Sequence, residues 1–384
     1  MTIKYFLILV IYSPVLLIIK VLSPLVSIRF GHIKSSHLGF SLNEPIAYIL
    51  EKREFQSRRS LDVFGLDKIS ANQQVITMLK REVFASKLIT PFVGTISKLP
   101  AFKNHLVQFR KEQYYDIYGL IAQNSAVLKF TNAENELGEA ELQRIGIKKG
   151  SKFVCLCIRD STYDQKVGGQ KEPNLHNYRN TKAHDYLDAI NYLIKNEVFV
   201  VRMGASIEQE IELNSPFFIN YAREHRTDFL DIFLCANCYF YFGDSAGLFN
   251  VPRIFKRPTA LCNWIPMGLA STQDENTIII HKKIMDKSGN EIPLSQHLSS
   301  KCVLYETTRD YKKHNLTPID NTAEENLALV EQMFEELEGC WQEPKDYAAL
   351  AQKYWSYFKT KTLREPICSK IAYSFLKKNL NDEP

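Results

Sequence analysis

Residues 241–264 read YFGDSAGLFNVPRIFKRPTALCNW. An aromatic, strand-like run stops at Gly243-Asp244-Ser245-Ala246-Gly247. A helix-compatible segment follows, then Pro258 and another apolar run that ends at Trp264. Packing alone asks for no small or polar residues at the end of a buried strand. In open parallel sheets, ligands bind beyond the carboxyl ends of the strands. A strand that ends in small residues and feeds a helix presents backbone N–H groups whose partial positive charge favours phosphate. Ser245 can add a hydroxyl to an anion or cap the helix. Asp244 suits a ribose or sugar hydroxyl, or again a cap. Ala246 and Gly247 keep Cβ bulk away from an approaching phosphate. A plain strand–turn–helix with a capping Ser or Asp explains the same five residues, so their neighbours must decide.

Those neighbours alternate between strand and helix. The turn Gly146–Gly150 (GIKKG) marks a fresh start, and FVCLCI (153–158) is a continuous apolar run, as expected for a strand covered on both faces. Thr181–Lys195 repeats Tyr186, Ile190, Leu193 and Ile194 at helical spacing. EVFVVRMG is a second buried strand, TDFLDIFLCANC a helix, YFYFGDS a strand, AGLFNVPRIF a helix and PTALCNW a strand. The pattern predicts an α/β layer around a mainly parallel sheet. Its strand ends deliver arginines to one edge: Arg159 and Asp160 after the first, then Tyr178, Arg179 and Asn180 before the next helix, and Arg202 at the end of the second. A lone loop arginine is usually surface solvation. Three at consecutive strand ends, beside Ser245, point to an anionic ligand of nucleotide type, since guanidinium forks match phosphate oxygens.

The first half reads differently. SIRF (27–30) and Leu61–Phe64 are strand-like, separated by the loop GHIKSSHLGF and a helix expected to start near Glu44-Pro45. Asn72 is positioned to cap a helix carrying Val75, Met78 and Leu79. Residues 91–135 are aromatic and helical in character. Toward the end, 323–338 is a helix with an acidic face, and DYAALAQKYWSYFKT and ICSKIAYSFLKKNL read as two more. Ahead of all this, YFLILVIYSPVLLIIKVLSPLVSI (5–28) carries Lys20 as its single charge. Its uninterrupted apolar part is shorter than the roughly 20 residues a spanning helix needs. SPLVSIRFG lacks a convincing small-residue cleavage site. Membrane association is expected, either as one span or as a monotopic helix with Lys4, Lys20 and Arg29 near lipid phosphates, the alternative being a buried first helix packed on its own domain.

At 384 residues, 45% hydrophobic and 24% charged, the chain suits about two domains with real cores. A net charge of +5 is too weak to argue for nucleic acid. The eight cysteines (155, 157, 235, 238, 262, 302, 340 and 368) lack a disulfide framework and read as reduced thiols of the cytosol. Cys235-x-x-Cys238 has no second pair with which to hold zinc.

HNYRNTKAHDYLDAINYLIKNEVFVVRMG and DIFLCANCYFYFGDSAGLFNVPRIFKRPTALCNWIPMG, in that order, resemble a family of bacterial glycosyltransferases tied to surface-polysaccharide synthesis, and ISANQQVITMLKREV is similar to that family's asparagine-plus-helix segment. The resemblance covers roughly residues 28–340. It implies a GT-B-like fold of two Rossmann-like domains facing across a cleft. The expected division is an apolar helix at 1–27, an acceptor domain at 28–150, a nucleotide-sugar domain at 151–340, and C-terminal helices (341–384) packing back on the first domain. The implied reaction transfers a sugar to a lipid-linked or lipopolysaccharide glycan at the cytoplasmic face of the inner membrane. The family places Gly-His in the first loop, whereas this loop carries both His32 and His37.

Glycosyl transfer needs a base for the acceptor hydroxyl and positive charge for the departing phosphate. No Asp-x-Asp occurs in the chain, so no metal or other cofactor is expected, and Arg159, Arg179, Arg202 and the Ser245–Gly247 turn are the candidates for the diphosphate. His37 is the first candidate base, followed by Glu44 and Asp160. Asn263 and Trp264 lie at the next strand end, where they line a site or join the core. Two alternatives remain: a nucleotide-sugar epimerase or hydrolase on the same architecture, and a membrane-associated scaffold in which Gly243–Gly247 is an ordinary cap. A kinase is disfavoured because no Gly-x-x-x-x-Gly-Lys-[Ser/Thr] is present.

Overall fold

The computed structural model describes residues 3–55, 60–160, 174–358 and 367–380, with side chains from residue 10 onward. The chain forms two units, each with its own parallel sheet: Met1–Asp116 with Val127–Lys129, and Ile117–Ala126 with Phe130–Pro384. The division therefore falls near residue 116 rather than at the Gly146–Gly150 turn. The reason is packing. Helix Asn132–Arg144 lies against helix Asp228–Asn237 of the second unit, so closely that a Cβ on Gly138 would sit 2.1 Å from the Phe233 ring.

In the first unit, β1 (Ser27–Ile33), β2 (Ser60–Leu66) and β3 (Phe84–Ser86) form a three-stranded parallel sheet in that order. Helix Gln73–Glu82 starts where the sequence predicts, with the Asn72 side chain accepting from the Val75 N–H. Helix Leu38–Phe55 starts six residues before Glu44-Pro45 and holds Pro45 inside it. It is buried on every side from Ser41 to Leu50, so it carries no amphipathic period that would betray its start. Helix Ile3–Leu22 packs Tyr12, Leu16 and Ile19 on a cluster with Phe30, Phe92, Val93, Ile96 and Phe102. Among the described residues, no helix is long and apolar enough to cross a membrane.

Asp62 binds this sheet together. Its carboxylate takes Arg29 (2.8 Å), Tyr48 (2.7 Å), Ser60 (2.9 Å) and Lys52. Burial alone would raise its pKa, but these donors outweigh it and hold the carboxyl at about 2. Arg29 is thereby committed to the protein interior rather than to lipid phosphates.

The second unit holds a seven-stranded, fully parallel sheet. Its members are β4 (Phe153–Cys157), β5 (Phe199–Met203), β6 (Phe218–Ile219), β7 (Phe240–Gly243), β8 (Thr259–Trp264), β9 (Thr277–His281) and β12 (Lys370–Ile371), in the order β12-β9-β8-β7-β4-β5-β6. A short antiparallel pair, β10 (Lys283–Met285) and β11 (Thr317–Ile319), stands apart. β4, β5, β7, β8 and β9 are buried along their whole length, as the continuous apolar runs require. Ile371 pairs with Ile279 at the sheet edge, and helix Tyr373–Leu380 follows directly. Helix Ala323–Glu338 takes Lys378 on Glu325 (2.8 Å), and Tyr354 is bonded to His281. The C-terminal segment thus completes the second unit instead of returning to the first, because β12 closes an open strand edge there. All eight cysteines are unpaired.

His281 and His297 are both buried in this unit, and burial holds them well below the ordinary histidine range, at about 3 and about 4. Both are neutral in the folded state. An unfolded chain takes up these protons below about pH 6.5, so stability present above that pH is lost progressively as pH falls toward 4. The urea midpoint is expected to drop between pH 7 and pH 5, and His297→Leu is expected to flatten that slope.

Candidate functional site

The chain order of the large sheet starts at its middle. β4 comes first, β5 and β6 follow on one side, and β7, β8, β9 and β12 build the other. The direction of winding reverses between β4 and β7, and ligand crevices form at such reversals. Gly243-Asp244-Ser245 sits there, directly at the end of β7.

Each of these residues answers to a local constraint. Gly243 pairs with Cys157 of β4, and a Cβ at position 243 would lie 2.1 Å from the Cys157 carbonyl oxygen. Only glycine permits strands this close. Asp244 is fully buried. Its Oδ2 accepts from the Arg159 backbone N–H (2.9 Å), the Thr181 hydroxyl (2.7 Å) and, more distantly, Tyr186 (3.4 Å). One carboxylate therefore ties the loop leaving β4, the segment entering the next helix and the end of β7. Burial pushes its pKa up. The Arg159 N–H, Thr181 and the charges of Arg159 and Lys282 pull it partly back. Its Oδ1 has no partner among the described residues. Ser245 does not cap: its hydroxyl donates to the Ile265 carbonyl (3.2 Å) and accepts from Arg179 Nε (3.3 Å). Ala246 spends its N–H on the Asp244 carbonyl (2.7 Å). Gly247 is exposed and opens a three-residue 3-10 turn ahead of the five-residue helix Asn250–Ile254. The helix expected over AGLFNVPRIF is thus present as two short pieces, too short to lend much dipole to an anion.

The arginines part company. Arg179 is half-buried and reaches Ser245 through Nε alone, so its outer nitrogens have no partner among the described residues. Arg159 stands half-buried at the exit of β4. Arg202, 2% exposed, turns inward and binds the carbonyls of Met203 (3.1 Å) and Ile158 (3.5 Å). It lies on a strand whose faces are both covered, so its cation fastens β5 to the end of β4. Tyr178 is buried beside Tyr311, with its N–H on Thr308. The Asn180 carbonyl accepts from Lys282 (2.8 Å). Asp160 accepts the Glu208 N–H (2.7 Å) and pins a loop. Asn263 pairs with Asn321 in both directions and donates to Tyr186, while Trp264 is core.

Sequence reading missed Lys282, Tyr186 and Thr181 as members of this cluster. Lys282 is 2% exposed and also bonds Asp320 (2.6 Å). A lysine directly after the apolar run TIIIH (277–281) was the available signal.

The first unit offers a separate feature. A cavity of about 470 Å³ opens at the end of β1, lined by Gly31, His32, Lys34 and Glu44 together with Thr90 and Gly94. Glu44 is 4% exposed. Its Oε1 lies 3.7 Å from Lys34 Nζ, and its Oε2 has no partner among the described residues. Burial raises this carboxyl above its ordinary range, and Lys34 offsets that only in part. His32 reaches the cavity with Nε2 on Asp67 (2.8 Å). His37 does not line it. Its ring bonds Ser36 (3.0 Å), which donates to Asp67 (2.7 Å), and stands edge-on to Phe40. Among the described residues, no three His, Cys, Asp or Glu side chains converge as a metal site would need.

No protein-family model matches the chain, and no curated protein does. Among solved structures, it is similar to ADP-heptose LPS heptosyltransferase II of E. coli (12% identity, TM-score 0.45, covering 81% of this chain and 100% of that one). It is also similar to a glycosyl transferase family 9 structure from Veillonella parvula (10%, 0.36, 62% and 80%). A third is the iron-containing dodecameric glycosyltransferase TibC of enterotoxigenic E. coli (9%, 0.32, 61% and 59%). Identities this low carry no residue role from those proteins to this chain.

Thr181→Val keeps the shape of its side chain but removes the shortest bond to a buried carboxylate. We expect a loss of about 1–3 kcal/mol of stability, read as a lower urea midpoint at pH 7.

Proposed function

We propose that this chain is a glycosyltransferase that moves a sugar from a nucleotide-sugar to a lipid-linked or surface-polysaccharide acceptor, with cationic side chains rather than a divalent ion at the departing diphosphate. The observation that carries the reading is the reversal between β4 and β7, where Arg179 presents uncommitted guanidinium nitrogens beside a glycine-opened turn. Arg179 and Arg159 are assigned to the diphosphate. Gly247 leaves room for it, and Asp244, Thr181 and Arg202 hold the framework. Unpaired thiols throughout suit the cytoplasmic compartment in which such donors would be met.

Glu44 is assigned as the base, ahead of His37 and Asp160, which are engaged by Ser36 and Glu208. The acceptor oxygen bonds to the anomeric carbon as the carbon–oxygen bond to the diphosphate breaks, and the hydroxyl proton passes to Glu44. A carboxyl raised by burial accepts that proton more readily than an exposed one.

Thermal shift with UDP, GDP, CMP, dTDP and their sugars tests the donor half. A nucleotide present at about 100 times its dissociation constant adds roughly 2.7 kcal/mol of stability. We expect one nucleotide class to raise the midpoint and Arg179→Ala to abolish the rise. A folded sample that responds to none of them defeats the reading in favour of a scaffold. Glu44→Gln is expected to keep the nucleotide shift while lowering turnover by about 10²–10⁴-fold. Wild-type turnover should climb with pH through a value above the ordinary glutamate range, because Glu44 must be ionised to act.

A further inference from the structure

Helix Ile3–Leu22 has two apolar faces. One is spent on the fold: Tyr12 meets Phe92 edge-on at 4.9 Å, and Leu16 and Ile19 join the same cluster. The other is open. Ile11 is 69% exposed, Leu17 66% and Val21 66%, with Val15, Ile18, Leu22 and Leu25 also in solvent. A contiguous apolar surface of this kind marks a contact site. Its polar atoms are already satisfied within the protein. Ser13 donates to the Val10 carbonyl (2.8 Å), Ser23 to the Lys20 carbonyl (2.9 Å), and Lys20 Nζ to the Ala101 carbonyl (2.9 Å) while lying 5.0 Å over the Phe102 ring. Little on this face would lose a hydrogen bond on leaving water.

Charge says what covers it. Asp and Glu number 43 in 384 residues, yet neither occurs in residues 3–43 or 83–111, the two segments that build this part of the unit. The same segments carry Lys4, Lys20, Lys87, Lys98, Lys103 and Lys111, besides Arg29, Lys34 and Arg110, which face Asp62, Glu44 and Glu51. Lys98 and Lys103 are exposed on either side of the Ala101–Phe102 contact with the helix. A second copy of the chain would bring equally basic segments together and be repelled. An apolar face rimmed by lysines and free of carboxylates matches an anionic lipid surface.

We propose that the open face of helix Ile3–Leu22 seats the protein on an anionic membrane, with the helix lying in the plane of the headgroups. Spanning is ruled out by the inner face: to cross, the helix would have to strip Tyr12, Leu16 and Ile19 from their cluster. The lipid seat is independent of the sugar-transfer reading and requires no nucleotide.

Flotation of the full chain tests it, with vesicles of phosphatidylcholine alone or with one third phosphatidylglycerol. Wild type should float with the anionic vesicles, and less well at high salt or with phosphatidylcholine alone. The triple variant I11S/V15S/I18S changes only exposed side chains, so its melting midpoint should hold while lipid binding falls about tenfold or more. K98E/K103E should weaken binding to anionic vesicles and leave binding to neutral ones unchanged. Wild type that stays with the lipid-free fraction overturns the proposal. So does a triple variant that floats like wild type, or one whose only effect is to convert a dimer to a monomer by sedimentation.

Discussion

The second unit depends on how closely β4 and β7 approach where the winding reverses. Gly243 lets the strands meet without a Cβ, and the Asp244 carboxylate then gathers the chain segments that leave the sheet at that point. Burying a carboxylate is costly unless hydrogen bonds repay its lost hydration. Here a backbone N–H and a hydroxyl do so in part. The cost also makes the arrangement specific, since moving either loop would strand the charge. Arg202 plays a complementary part on the neighbouring strand, satisfying carbonyls where the ladder ends.

The first unit shows the same chemistry with two outcomes. Asp62 and Glu44 are both buried carboxyls. Asp62 has four donors and is held strongly acidic. Glu44 has one distant lysine, an oxygen without a partner among the described residues, and a raised pKa. The first arrangement is what stability alone would select. The second leaves basicity unspent at the wall of a cavity, which is the property a proton acceptor needs.

Much of this was legible in advance. The apolar runs FVCLCI, EVFVVRMG, YFYFGDS and PTALCNW named four of the seven strands of the large sheet, because a strand covered on both faces needs few polar residues. Asn72 marked a helix start through its cap. Other elements gave no local signal. Helix Leu38–Phe55 is buried all round, so its start at Leu38 has no periodicity. β12 is two residues long and exists only because β9 offers it an edge. Residues 367–371 therefore read as helix from their own composition.

The amino-acid sequence by itself determined the α/β character, the small-residue strand end at 243–247, the absence of Asp-x-Asp and the segregation of acidic residues away from 3–43 and 83–111. These are properties of composition and local spacing, which hold whatever the chain packs against. Tertiary structure decided which arginine keeps its guanidinium uncommitted. Arg159, Arg179 and Arg202 look alike at three strand ends, yet Arg202 is drawn inward to bare carbonyls while Arg179 stops at Ser245. It likewise placed Glu44 and His32, and not His37, at the cavity. A side chain's direction depends on which backbone groups nearby remain unsatisfied, and that is known only once the strands have found their neighbours.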